Sequence, residues 1–157
     1  MHKVCQNTDM SQPAGKVHLD TSLGYLLKEA ASTLRSEMEV VLRPLGMNIT
    51  HYACLELLHQ RPGLSNSELA RGTFVSRQSM NVLLLALERD GLVSRPAQAA
   101  SGRILPTELT AAGRNQLTKA SAAVKAVEER MTSALDPAEQ DQLRRLLREC
   151  VSSLRTS

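Results

Sequence analysis

Ser76, Arg77, Gln78, Ser79 and Asn81 fall within six residues, and each side chain can hydrogen-bond to a base edge or a phosphate oxygen. Arg offers a planar fork that fits guanine, and Gln or Asn can make a bidentate pair with adenine. Each good pair of this kind discriminates against the wrong base by about 1–3 kcal/mol. Polar residues of these types also make an ordinary solvated first helical turn, so their meaning depends on the elements that hold them.

Ser76 is placed to cap a helix RQSMNVLLLALERD, with Val75 able to meet Met80 and Gly91 as the stop. Met80, Leu83, Leu84 and Leu87 share one face and belong to a core. Val82 and Leu85 fall off that face, where they could touch a thymine methyl or pack on a neighbouring element. Upstream, Ser65 and Glu68 stand in capping-box register, with Leu64 positioned to staple onto Leu69. Thr50 is the expected cap of a preceding helix, HYACLELLHQ, with Ile49 stapling onto Cys54, and Arg61-Pro62-Gly63 ends it. Gly72-Thr73-Phe74 leaves only a brief turn between the last two helices, which is a helix-turn-helix pattern.

After Gly91 the period changes. Leu92 to Pro96 reads as a short strand, Ala97 to Gly102 as a loop, and Arg103 to Leu109 as a second strand containing Pro106. A two-stranded hairpin directly after the second helix is a wing. Thr110 then caps a helix from Ala111 to about Ala134. Its interleaved sevens, Leu117, Val124, Met131 and Ala120, Val127, Ala134, form an a/d seam for a partner helix or another chain. Asp136-Pro137 and Glu139 supply the cap, first-turn proline and capping-box acid of a last helix striped by Leu143, Leu146, Leu147, Cys150 and Leu154. At the other end, Thr21 or Ser22 caps a first helix with apolar residues from Leu23 to Leu42, ended by Pro44 and Gly46.

The fold class expected is therefore mainly α with a small two-stranded wing. Residues 1–18 are expected to form a flexible, polar N-terminal tail, 47–110 a winged helix-turn-helix DNA-binding domain, and 19–46 with 111–157 a helical dimerisation region. The whole chain is consistent with this. At 157 residues and 42% hydrophobic it can bury a core, and at 2% aromatic that core is Leu, Val, Ala and Met. The net charge of +3 is a weak hint of an anionic partner, but residues 61–110 carry six Arg and no Lys against four acids. Three cysteines, Cys5, Cys54 and Cys150, form no framework and suit reduced thiols in a cytoplasmic protein. Neither a signal peptide nor a transmembrane helix is expected. No Gly-rich phosphate loop, nucleophile elbow or zinc-protease motif is present, so the chain is not expected to be an enzyme. His51 and Cys54 lie three apart with His59 beyond, but further ligands are not evident, and neither a metal nor a cofactor is expected.

From about Leu23 to Leu154 the sequence resembles the MarR (multiple antibiotic resistance regulator) family of bacterial transcription factors. The stretches that carry the likeness are ITHYACLELLHQRPGLSNSELA, VSRQSMNVLLLALERDGLVSR and GRILPTELTAAG. The family's wing places Asp-Arg-Arg ahead of a strand that ends in Leu-Thr and runs on toward Gly. Leu109-Thr110 and Gly113 match that ending, and counting back puts Ser101, Gly102 and Arg103 at the three signature positions. Arg103 thus stands where family members insert an arginine into the minor groove, while the bracing aspartate is replaced, which implies a mobile wing.

The resemblance implies a homodimer on double-stranded DNA with a pseudo-palindromic operator. Ser76, Arg77, Gln78, Ser79, Asn81 and Arg103 would make the contacts. It also implies a small phenolic or lipophilic effector near the junction of the two regions, where Tyr25, Arg35, Met38, His51 and Tyr52 fall. Some relatives sense peroxides through a cysteine near the start of the first helix. Ser22–Ala31 holds none, and Cys54 and Cys150 lie on apolar stripes where a buried, inert thiol is the default. A cysteine-based redox regulator is one alternative. Another is a winged-helix module that binds protein and no DNA, against which the polar first turn and Arg103 argue.

Overall fold

The computed structural model describes residues 15–95 and 106–156, and these fall into two compact units that divide between Ser32 and Thr33. In the first, a single 3-10 turn at Leu19–Thr21 leads into helix α1, Leu23–Leu42, where Ser22 Oγ accepts from the Tyr25 amide at 3.2 Å. Residues 15–18 carry no helix or strand, and the rest of the expected tail lies outside the described residues.

The second unit holds the core. The C-terminal part of α1 enters it with Leu42 buried and Met38 and Val41 packed against it. A 3-10 turn at Arg43–Leu45 then ends at Gly46, whose φ of 70° reverses the chain. Helix α2, Ile49–Gln60, starts earlier than expected. Its cap is Asn48, whose side chain accepts from the His51 amide at 2.9 Å, and Thr50 is inside the helix. Asn is at least as good a cap as Thr, and with both within three residues the extended one wins. The capping box at Ser65 is present and opens α3, Asn66–Gly72. Ser76 caps α4, Arg77–Arg89, and Asp136 with Glu139 boxes α6, Pro137–Arg155.

The turn between α3 and α4 differs from expectation in one residue. Gly72 belongs to the last turn of α3, where a side chain would run into Leu57, 2.6 Å from a Cβ built there. The left-handed position that glycine usually fills is taken by Phe74, at φ 60°.

The wing begins at Gly91 (φ 73°), followed by β1, Val93–Ser94, antiparallel to β2, Glu108–Leu109. Val93 faces Leu109 and Ser94 faces Glu108. Pro106 is outside the ladder rather than within it, because it has no N–H to donate. Residues 96–105, including the rest of the expected second strand, lie outside the described residues.

Helix α5, Ala111–Met131, starts on the Thr110 cap. Leu117, Ala120, Val124 and Val127 of its seam are buried, with α2 as the main packing partner, so the chain itself fills that seam. The helix ends three residues short of the expected Ala134, and both Met131 and Ala134 are exposed. In α6 no residue is buried, and Leu143, Leu146, Leu147, Val151 and Leu154 are 38–82% exposed. Cys150 is exposed too, contrary to the buried thiol expected there.

Candidate nucleic-acid interface

Three devices fix helix α4 in place. Its apolar face, Met80, Leu83, Leu84 and Leu87, is buried in the core. Its start is held by Ser76, whose Oγ accepts from the Ser79 amide at 3.0 Å and donates to Ser79 Oγ at 2.9 Å. Its end is followed by the wing, tied down through Leu92. The Leu92 carbonyl accepts from Thr110 N at 3.1 Å, and Thr110 Oγ1 donates to the Gly91 carbonyl at 2.6 Å. Gly113 of α5 lies so close to that carbonyl that a Cβ would be 2.0 Å from the Leu92 oxygen. Only a glycine lets α5 and the hairpin root approach this closely.

The face of α4 turned away from the core carries the predicted contact residues. Ser76, Arg77, Gln78, Ser79 and Asn81 are all exposed, so the structure brings these five together on one end of one helix. They are not equivalent. Ser76 gives its hydroxyl proton to Ser79, which leaves Ser79 as the hydroxyl with a free donor. Among the described residues, the Arg77 guanidinium makes no hydrogen bond or ion pair. The Arg77 and Gln78 amides open the helix with no acceptor, a setting that attracts an anion. By the helical period Gln78 and Val82 point most directly outward, opposite Met80 and Leu84, while Asn81 sits on the flank. There Asn81 lines a hollow of about 540 Å³ with Leu64, Asn66, Leu84, Arg95 and Thr107. Asn66 Oδ1 is buried without a hydrogen-bond partner among the described residues, while Asn66 Nδ2 donates to the Arg77 carbonyl at 3.4 Å. Neither Asn66 nor Arg95 stands at a motif position, so the sequence alone does not mark them as contact residues. Arg103, with Ser101 and Gly102, lies outside the described residues.

The candidate effector residues are scattered in character. Tyr25 is exposed and stands in the first unit; the other four stand in the second. Arg35 is exposed, whereas Met38 and Tyr52 are half-buried and packed on the core. Burial pushes the Tyr52 phenol up, with Ser121 acting in the other direction through a hydrogen bond. Ser121 also donates to Glu56 at 3.0 Å, which joins α5 to α2. Burial holds His51 below its ordinary value, opposed by the carboxylates of Asp90 and Glu39.

Cys54 is buried, 3.8 Å from Met80 Sδ, and burial pushes its thiol up to about 12, so at neutral pH no thiolate forms there. Among the described residues, no group of three His, Cys, Asp or Glu side chains could hold a metal ion. No helix among them is long and apolar enough to cross a membrane.

The sequence model of the MarR family matches residues 45–104, from the 3-10 turn that follows α1 to beyond β1. The HTH-type transcriptional repressor Rv2887 of Mycobacterium tuberculosis is 44% identical over 128 residues, 82% of this chain and 92% of that protein. The chain belongs to the MarR family. Its likeness extends to solved structures. The Rv2887 complex with salicylic acid superposes at a TM-score of 0.70, with 43% identity over 83% of this chain and 97% of that one. The Rv2887 complex with DNA does so at 0.70, with 40% identity over 83% and 98%. The repressor CouR of Rhodococcus jostii, bound to a 23-mer DNA duplex, reaches 0.76 at 27% identity over 87% and 99%. The mainly helical chain with its two-stranded sheet is thus a MarR winged-helix regulator.

Proposed function

We propose that this MarR-family chain is a ligand-responsive transcriptional repressor. It binds a pseudo-palindromic operator as a homodimer in the cytoplasm and acts by binding rather than by catalysis. The observation that carries this reading is helix α4. Its inner face is locked into the core, while its capped outer end presents Arg77, Gln78 and Ser79 with unpaired donors. In this reading Gln78 reads a base edge, Arg77 a guanine or a phosphate, and Ser79 a phosphate. Asn81 reads from the flank, and Ser76 acts mainly by holding the helix start. Arg103 enters the minor groove, where narrow A·T-rich stretches concentrate negative potential.

Residues 47–110 form the DNA-binding part, and 19–46 with 111–157 the dimerisation part. The uncovered leucine stripe of α6 supports the latter. A two-fold dimer then sets two copies of α4 about 34–36 Å apart, one DNA turn. The effector is a small aromatic acid, as in the Rv2887 complex with salicylic acid, taken near Arg35, Met38, His51 and Tyr52 of the second unit.

The test is selection of bound duplexes from a random pool by the full chain, repeated with salicylate. Enrichment of one inverted repeat, released by salicylate and weakened steeply by salt, is expected. Enrichment of no sequence would refute the reading. Enrichment that salicylate leaves untouched would refute the effector class alone.

A further inference from the structure

In the described parts of residues 47–110, the large apolar side chains left exposed are Phe74 at 86%, Val82 at 63% and Leu85 at 52%. All three are on the helix-turn-helix. Val82 lies one helical turn beyond Gln78 on the outward line of α4, and Leu85 continues that line. A valine there gains nothing from the core, and its β-branch makes it a weaker helix former than the straight-chain polar residues that suit an exposed position. Its branched carbon also holds one rotamer in a helix, so its two methyl groups stand fixed before any partner arrives. In the major groove thymine is the base that offers an apolar group, its C5-methyl.

We propose that Val82 reads a thymine methyl, one or two base pairs from the base met by Gln78, and so sets part of the operator sequence. This rests on the DNA-binding reading of α4. Other contacts for an exposed valine, such as the deoxyribose edge of the backbone, carry no dependence on the thymine methyl.

The experiment uses the inverted repeat enriched by the full chain, remade with each thymine in turn replaced by deoxyuridine, which deletes only the methyl group. One thymine in each half-site should then cost about fourfold in affinity per half-site, the worth of one buried methyl. In Val82→Ala the same replacement should cost nothing, while the variant keeps its helical content because the position is exposed. Val82→Thr, of nearly the same shape but with a hydroxyl replacing one methyl, should bind less tightly than the parent. Methyl dependence at no thymine overturns the proposal, as does dependence that persists unchanged in Val82→Ala. A uniform loss for Val82→Ala on every duplex also overturns it, since that marks a backbone contact. Failure to enrich any sequence overturns this proposal and the DNA-binding reading together; the other failures overturn this one alone.

Discussion

A side chain's type was legible in the sequence wherever its role depends on its neighbours along the helix. Ser76 and Ser65 are recognisable as caps because a cap needs one oxygen and one nearby amide. Phe74 is not recognisable as the left-handed residue, because glycine or asparagine is the usual signal of that conformation and the nearby Gly72 lies within α3, close to Leu57. Phe74→Gly should therefore relieve backbone strain, raising stability by up to about 1 kcal/mol after the added flexibility of glycine is counted. Phe74→Ala should give no such gain, and paired urea melts will tell the two apart. The arginine picked out by the family pattern makes a second prediction. Arg103→Ala should lower operator affinity about tenfold and flatten the salt dependence by about one phosphate equivalent, with base preference under α4 kept. Unchanged affinity would remove the minor-groove role.

At the scale of elements, periodicity located α1 to α6, and the errors came where two signals competed. Asn48 and Thr50 are both residue types that cap helices, but the amide of His51 pairs with Asn48, and Thr50 falls inside the helix. The heptad seam of α5 is right at Leu117, Ala120, Val124 and Val127, but it stops being buried before Met131, past the reach of the core that α2 provides. Packing of this kind is set by helix lengths and crossings, which a pattern of spacings does not contain. A close joint lies between α5 and the root of the wing, at Gly113 and the Leu92 carbonyl. Gly113→Ala forces a methyl into the Leu92 carbonyl and should cost about 2–3 kcal/mol, measured by denaturant unfolding. It should also weaken operator binding, since the hairpin root must move. His51, in the first turn of α2, makes stability depend on pH. Its folded value lies below the ordinary 6.5, so its contribution is fully present above that pH. It is lost as the pH falls through the ordinary value toward the lowered one. Stability at pH 7.5 minus that at pH 5.5 should be smaller in His51→Gln than in the parent.

For the molecule as a whole, the division between what sequence showed and what it hid follows burial. The winged lobe was legible because its elements bury their faces against one another within the chain. The proposed effector residues Tyr25, Arg35, Met38, His51 and Tyr52 share no pattern and differ in exposure, so only the family resemblance points to them. Helix α6 tests the assembly. Leu146→Glu sits on an exposed stripe, so the chain should still fold. Its mass in solution should fall from twice 17.2 kDa to 17.2 kDa. Operator affinity should drop by roughly a hundredfold or more as the second half-site contact is lost. A parent protein that is already monomeric at micromolar concentration would contradict the dimer. The uncovered stripe of α6 has a consequence for dosage. If two chains must meet before either helix is covered, then below the pairing concentration, and while the operator is far from saturated, its occupancy follows the square of the number of chains. In that range, halving the amount of protein in a cell would cut occupancy fourfold rather than twofold.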